Sequence, residues 1–228
     1  MISQLQGWRD TTIKLGFFSL ALMAFLLPIT ESGTDIAYLL SVFFILISGV
    51  VWHQRAGLYK HPVNLGLLVL AAMMVIGLIY SSLWFDPRTV RLLRAYIWML
   101  FTPCLILAIT EEKQRRLLLH AFLWGNAVVL ICSLGKLFPL LWGATSYDGQ
   151  VFRIYLMQNF FMAFASAFWL VKSFFQNERR LLWLCLFVLS SVDVFLVKGR
   201  TGYLVWFLLV FYILYRQLSW KHLVLSCC

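Results

Sequence analysis

Long apolar runs separated by short polar loops dominate the chain, and this pattern restricts the fold more than any other feature. We count eight runs, at residues 13–30, 36–52, 63–85, 90–110, 117–141, 154–172, 181–197 and 202–215. A helix needs about 20 mostly apolar residues to cross a bilayer. The strands of a membrane β-barrel would alternate in polarity, which these runs do not. The sequence therefore predicts an all-α, polytopic transmembrane helical bundle, with one domain over residues 1–228.

Composition supports a membrane protein and argues against a nucleic-acid partner. Of the 228 residues, 62% are hydrophobic and 12% are charged, whereas charged residues make up about a quarter of a soluble domain. The net charge is +10, but the basic residues are scattered through short loops, which is typical of membrane orientation signals. The five cysteines have no metal-ligand spacing and no pattern of a disulfide framework.

The distribution of Lys and Arg predicts the orientation of the bundle. With the N-terminus in the cytoplasm, 12 of the 19 basic residues lie on the inner side and seven on the outer side. Cytoplasmic loops carry the excess of Lys and Arg, so this arrangement is favoured. The first outer loop, TESGTD, has no basic residue. Eight spans return the C-terminus to the cytoplasm.

Three outer arginines follow a helix-start signal at the head of the fourth run. Pro87 suits the first turn of a helix, and Arg88, Arg91 and Arg94 follow at a spacing of three. This spacing places Arg94 about 9 Å further along the helix than Arg88. An arginine at that depth usually faces a water-filled cavity or a partner. The alternative is that these side chains extend to the lipid headgroups.

Further polar residues lie near the outer ends of later runs. Arg153 opens the sixth run, and Gln158 and Asn159 follow within it. Two amides at that depth need hydrogen-bond partners, since lipid supplies none. They serve either to join helices or to contact a substrate. For Asp193, inside the seventh run, an ion pair with Lys198 or with an arginine is the simplest account.

The stretch VKGRTGYL connects the last two runs and faces outward in this topology. Gly199 and Gly202 flank Arg200 and Thr201, and glycines allow a tight turn and a close backbone approach. The last helix begins near Thr201, so its free N–H groups and the Arg200 guanidinium point to the same place. A helix N-terminus with an arginine is a suitable anion site.

We expect the outward arginines to converge on one anion, and a pyrophosphate at the membrane surface is the natural candidate. The predicted pyrophosphate-binding residues are Arg88, Arg91, Arg94, Arg153 and Arg200, supported by Asn159, Asp193, Gly199, Thr201, Gly202 and Leu204.

The segment Arg200 to Leu204 (RTGYL) resembles the Arg-x3-Leu motif of the O-antigen ligase family. The preceding run, GQVFRIYLMQNFFMAFASAFW, is also typical of that family. The resemblance implies a glycosyltransferase of the bacterial inner membrane that uses neither a metal nor a nucleotide sugar. Such enzymes transfer a glycan from undecaprenyl pyrophosphate, on the periplasmic face, to the lipid A–core acceptor. The related O-antigen polymerases transfer it to another lipid-linked repeat instead.

The family's motifs match this chain only in part. Arg200 corresponds to the motif arginine, which is thought to bind the pyrophosphate, and Leu204 to its helix partner. The family's catalytic histidine belongs to a His-x2-Gly motif in a large periplasmic loop. None of the four histidines, His53, His61, His120 and His222, has Gly at the third position after it. We therefore expect the N-terminal portion of such an enzyme, ending before that loop and the last spans and inactive by itself.

Two other functions are compatible with the bundle. One is a transporter or flippase for a lipid-linked anionic glycan, which would place polar residues at mid-membrane in two matching halves. We find no such repeat, and the outer basic residues gather at one edge. The other is a membrane scaffold without enzymatic activity.

Overall fold

The computed structural model describes residues 2–53, 62–80, 98, 101–136, 155–197 and 200–217. Within these residues the chain is all-helical and contains no strand, which confirms the predicted all-α class. A 3₁₀ turn at Asn177–Arg179 precedes α7, and residues 101–108 are helical as well. The helices are α1 (Ile2–Leu26), α2 (Glu31–Ile47), α3 (Val50–His53), α4 (Pro62–Tyr80), α5 (Glu112–Gly135), α6 (Tyr155–Phe175), α7 (Arg180–Leu196) and α8 (Arg200–Gln217).

Several helix boundaries depart from the predicted runs, most clearly in α1 and α2. Helix α1 begins at Ile2, well before the predicted residue 13, because a helix can extend past its apolar segment into polar sequence. The predicted run 36–52 is interrupted after Ile47, since Gly49 adopts a φ of 73°. Glycine takes this left-handed conformation readily, and it commonly ends a helix.

Among the described helices, one, α5, is long and apolar enough to cross a membrane when judged by length and composition. The apolar segment Pro62–Gly77 of α4 is shorter. Parts of the predicted runs 63–85, 90–110, 117–141 and 154–172 lie outside the described residues. The eight spans and the positions of the two termini therefore remain predictions.

The described helices expose large apolar side chains and bury polar ones. In α7, for example, Leu181 is 77% exposed, whereas Ser190 and Asp193 are buried. Helix α8 exposes Phe211 at 72%. Soluble proteins rarely expose large contiguous apolar surfaces, whereas membrane helices place small and polar residues at their interfaces.

Contacts divide the chain into two compact units. The first comprises Met1–Met23 and Asp35–Leu118. Its core is built around Tyr38, whose ring stacks on Trp98 at 4.0 Å and whose hydroxyl donates to the Trp98 carbonyl at 2.8 Å. Gly16 lies against Ile45, so α1 and α2 approach closely there.

The second unit comprises Ala24–Thr34 and Leu119–Cys228. Helix α6 is its central element and packs against both α7 and α8. The side chains of Ala163, Ala165 and Ser166 are completely buried, which allows this close packing. Trp169 of α6 and Val194 of α7 lie in the same apolar core.

Candidate anion-binding site

Arg200 is the first residue of α8, and its side chain is exposed. Thr201 follows it and is exposed as well. The first N–H groups of a helix have no intrahelical acceptor, and the helix dipole favours an anion near them. The described part of the site therefore consists of one guanidinium beside the head of an 18-residue helix.

Two side chains hold the end of α7 just before this point. The backbone of Val197 is extended, which ends α7. Its carbonyl oxygen accepts a hydrogen bond from Asn159 Nδ2 at 3.0 Å and another from Tyr203 Oη at 3.0 Å. One oxygen thus connects α6, α7 and α8, so the position of Arg200 depends on all three helices.

Gly202 permits the contact between α6 and α8. It is buried, and a Cβ added to it would lie 2.6 Å from the Cβ of Asn159 and 3.1 Å from its Cγ. Real Cβ atoms essentially never come within 3.0 Å of another atom, so the 2.6 Å approach would force a shift. Gly202 therefore allows α8 to pack directly on Asn159. The Asn159 amide also donates to the Val197 carbonyl, which joins α6 to the end of α7.

Asp193 lies one turn before the end of α7, and two neutral side chains hydrogen-bond its carboxylate. Ser133 Oγ of α5 donates to Oδ1, and the Gln158 side chain hydrogen-bonds the carboxylate as well. Arg200 forms no ion pair with it, and Oδ2 has no hydrogen-bond partner within the described part of the chain. Within the described residues, hydroxyl and amide donors therefore bond the carboxylate in place of Arg200. Arg88, Arg91, Arg94 and Arg153 lie outside the described residues, so a pairing with one of them stays a prediction. Lys198 lies outside the described residues, so a pairing with it stays a prediction.

The amides Gln158 and Asn159 are both buried and both bonded to neighbouring helices. This outcome favours the helix-joining role over a substrate contact. Leu204, expected to support Arg200 from the next turn, is 61% exposed and so packs little against the protein.

The other predicted ligands of the anion cannot be placed. Arg88, Arg91, Arg94, Arg153 and Gly199 lie outside the described residues. The convergence of the five arginines therefore remains a prediction.

Sequence reasoning missed two residues of this region. These are Tyr203, whose hydroxyl binds the Val197 carbonyl, and Ser133, which donates to Asp193. A lone serine in an apolar run carries no signal of its own. The carboxylate of Asp193 was the available clue, since a buried carboxylate needs donors from some neighbouring helix.

No family model, no curated protein and no solved structure matches the chain. Among the described residues, no group of three or more His, Cys, Asp or Glu side chains could hold a metal ion. The geometry around Arg200 is suited to electrostatic binding of a phosphate group by a guanidinium and backbone N–H donors.

Proposed function

We propose that this chain is a polytopic protein of the bacterial inner membrane that resembles the O-antigen ligases. In this proposal it binds the pyrophosphate of an undecaprenyl-linked glycan at its periplasmic face. Eight spans place both termini in the cytoplasm, and Arg200 is the central ligand of the pyrophosphate. The glycan acceptor of the complete reaction is the lipid A–core.

One observation supports this function above the others, namely the fixed position of Arg200. The Asn159–Val197–Tyr203 bonds and the contact of Gly202 with Asn159 hold the head of α8 in place. Arg200 itself remains exposed and makes no ion pair with Asp193 in the described part of the chain. An exposed guanidinium on a helix end that is held in place is suited to bind an external anion.

Membrane embedding is supported separately by the distribution of side chains. Exposed Phe and Leu residues on α7 and α8 suit contact with acyl chains, while the buried side chains of Ser133, Asn159 and Asp193 form hydrogen bonds between helices. In lipid, polar groups have to be satisfied within the protein in this way.

The test is a binding experiment with the Arg200→Lys variant. We expect this change to weaken binding of undecaprenyl pyrophosphate to the purified protein roughly tenfold, because lysine keeps the charge but loses the bidentate hydrogen bonds. Binding is measured by native mass spectrometry in detergent micelles. In a complete enzyme of this type, the same variant loses most glycan transfer while its membrane insertion stays normal.

Arg216→Lys provides the matched control, since Arg216 lies in the last turn of the same helix. It should leave binding unchanged. Equal donor binding by the Arg200→Lys variant and the unaltered chain would refute the pyrophosphate role. Movement of the donor across a proteoliposome bilayer, without transfer to an acceptor, would favour the transporter instead.

A further inference from the structure

A second candidate site lies at the other end of α6, far from Arg200. Helices α5, α6 and α7 enclose an open cavity of about 320 Å³ there. Its wall is mostly apolar and includes Leu123, Ala127, Trp169 and Leu186. A volume of this size is within the range of small-molecule and cofactor pockets.

The cavity carries basic groups as well. Lys172, Arg179 and His120 all line it. Lys172 Nζ lies 2.9 Å from His120 Nε2 and 4.6 Å from the centre of the Trp183 ring. Neither Lys172 nor Arg179 pairs with a carboxylate in the described ranges. Two cations beside an apolar cavity complement a ligand that has an anionic head and an apolar tail.

Trp183 adds an uncommitted donor to the same cavity. Its indole Nε1 is buried and has no hydrogen-bond partner among the described residues. Buried polar groups in native proteins are nearly always hydrogen-bonded. An acceptor oxygen from a bound ligand would satisfy this N–H group.

The apolar part of the cavity opens toward the surface that we assign to lipid. Trp124 and Ile131 of α5 line it and are 68% and 70% exposed. From His120 to Ile131, α5 rises about 16 Å, so the wall changes along its length from basic to apolar. A ligand that contacts both the basic end and the apolar end of this wall therefore needs a long apolar chain.

We propose that this cavity binds an anionic phospholipid, with the headgroup phosphate at Lys172 and Arg179 and an acyl chain along Ala127 and Ile131. The inference rests on the membrane embedding proposed above and goes beyond the proposed glycan-donor site. In the proposed orientation this end faces the cytoplasm, where anionic headgroups attract basic residues. The bound lipid holds the neighbouring ends of α5, α6 and α7 together.

The experiment measures lipid binding by native mass spectrometry of the purified full chain. Dioctanoyl phosphatidylglycerol is compared with dioctanoyl phosphatidylcholine, which has the same tails but no net charge. We expect saturable binding of the anionic lipid alone. The double variant Lys172→Gln, Arg179→Gln should weaken that binding roughly 25-fold, because each basic residue near the headgroup favours binding by about a factor of five.

A second double variant, Lys113→Gln with Arg115→Gln, removes the same charge from the first turn of α5, outside the cavity. It should keep the affinity of the unaltered chain within about twofold, since these exposed charges do not contact the ligand. Ala127→Phe should reduce binding by filling the tail region while leaving both cations in place. Circular dichroism confirms that each variant is folded.

Several outcomes would overturn the proposal. These are equal binding of the two lipids, equal loss of binding in both double variants, and an affinity for inorganic phosphate equal to that for the lipid. Arg200→Lys should leave phosphatidylglycerol binding unchanged, so failure of the donor site and failure of the lipid site are distinguishable. If the membrane embedding itself is wrong, the chain stays monodisperse without detergent and binds neither lipid.

Discussion

The polar side chains at the two ends of α6 differ in burial and in hydrogen bonding. Near its start, Asn159 is buried, bonded to Val197 and packed against Gly202. Near its end, about 20 Å away along the helix axis, Lys172 contacts the exposed His120 and the half-buried Trp183. The polar groups at the first end join helices to one another, whereas Lys172 and Arg179 at the second end line an open cavity. The difference indicates that Arg200 is held by structure, whereas the Lys172 end is arranged to receive a ligand.

The largest effect should come from adding a methyl group at the fixed end. We expect Gly202→Ala to lower the free energy of unfolding by about 1–3 kcal/mol, because its Cβ would collide with Asn159 and overpacked sites cost that much. The measurement is thermal unfolding of the purified protein in detergent.

Gly66→Ala is the control for this change. A Cβ at Gly66 of α4 meets no atom within 4 Å, and alanine favours a helix over glycine. It should be neutral or stabilising. If Gly202→Ala is tolerated as well as Gly66→Ala, the head of α8 is not held by this contact.

A smaller effect should follow from removing the amide that joins α6 to α7. We expect Asn159→Leu to cost about 1–2 kcal/mol, because the hydrogen bond to the Val197 carbonyl is lost inside the protein. Tyr203 still donates to that carbonyl, which limits the loss. Chemical unfolding followed by tryptophan fluorescence measures it.

Asn64→Leu offers a contrasting amide in α4. Asn64 is buried, and neither of its amide atoms has a hydrogen-bond partner in the part of the chain that the structure describes. Replacing it with leucine should be neutral or stabilising, since no bond is lost. The same loss of stability in both variants would argue against a special role for Asn159.

The smallest effect should come from the open end. In lipid-free detergent, we expect Lys172→Met to change the free energy of unfolding by less than about 1 kcal/mol, because the described contacts that are lost are the one with the Trp183 ring and an exposed hydrogen bond to His120. The measurement is again thermal unfolding. A loss as large as that of Gly202→Ala would show that Lys172 is a structural residue, and the contrast between the two ends of α6 would disappear.

Much of the fold could be predicted because helices depend on local sequence. Each described helix falls within or across one of the apolar runs, and the small residues of α6 lie buried as close packing requires. The break at Gly49 was missed because an apolar run does not reveal where one glycine will take a positive φ.

The candidate site could be predicted less completely. The sequence placed Arg200 at the head of a helix, and the structure agrees. The neutral partners of Asp193 could not be predicted, since a buried charge suggests a cation and gives no sign of the donors that Ser133 and Gln158 supply. Leu204, predicted to support the site, is 61% exposed, and its role stays a prediction.

The sequence by itself determined the helical class, the approximate helix positions and the polar residues that need partners. Only the tertiary structure decided which partners those are. Ser133 and Asp193 are 60 positions apart in the chain, and Asn159 and Val197 are 38 apart. The physical reason is that helix formation follows a local period of about 3.6 residues, whereas a bond between helices depends on their rotation and register. Packing of the whole helix group sets both.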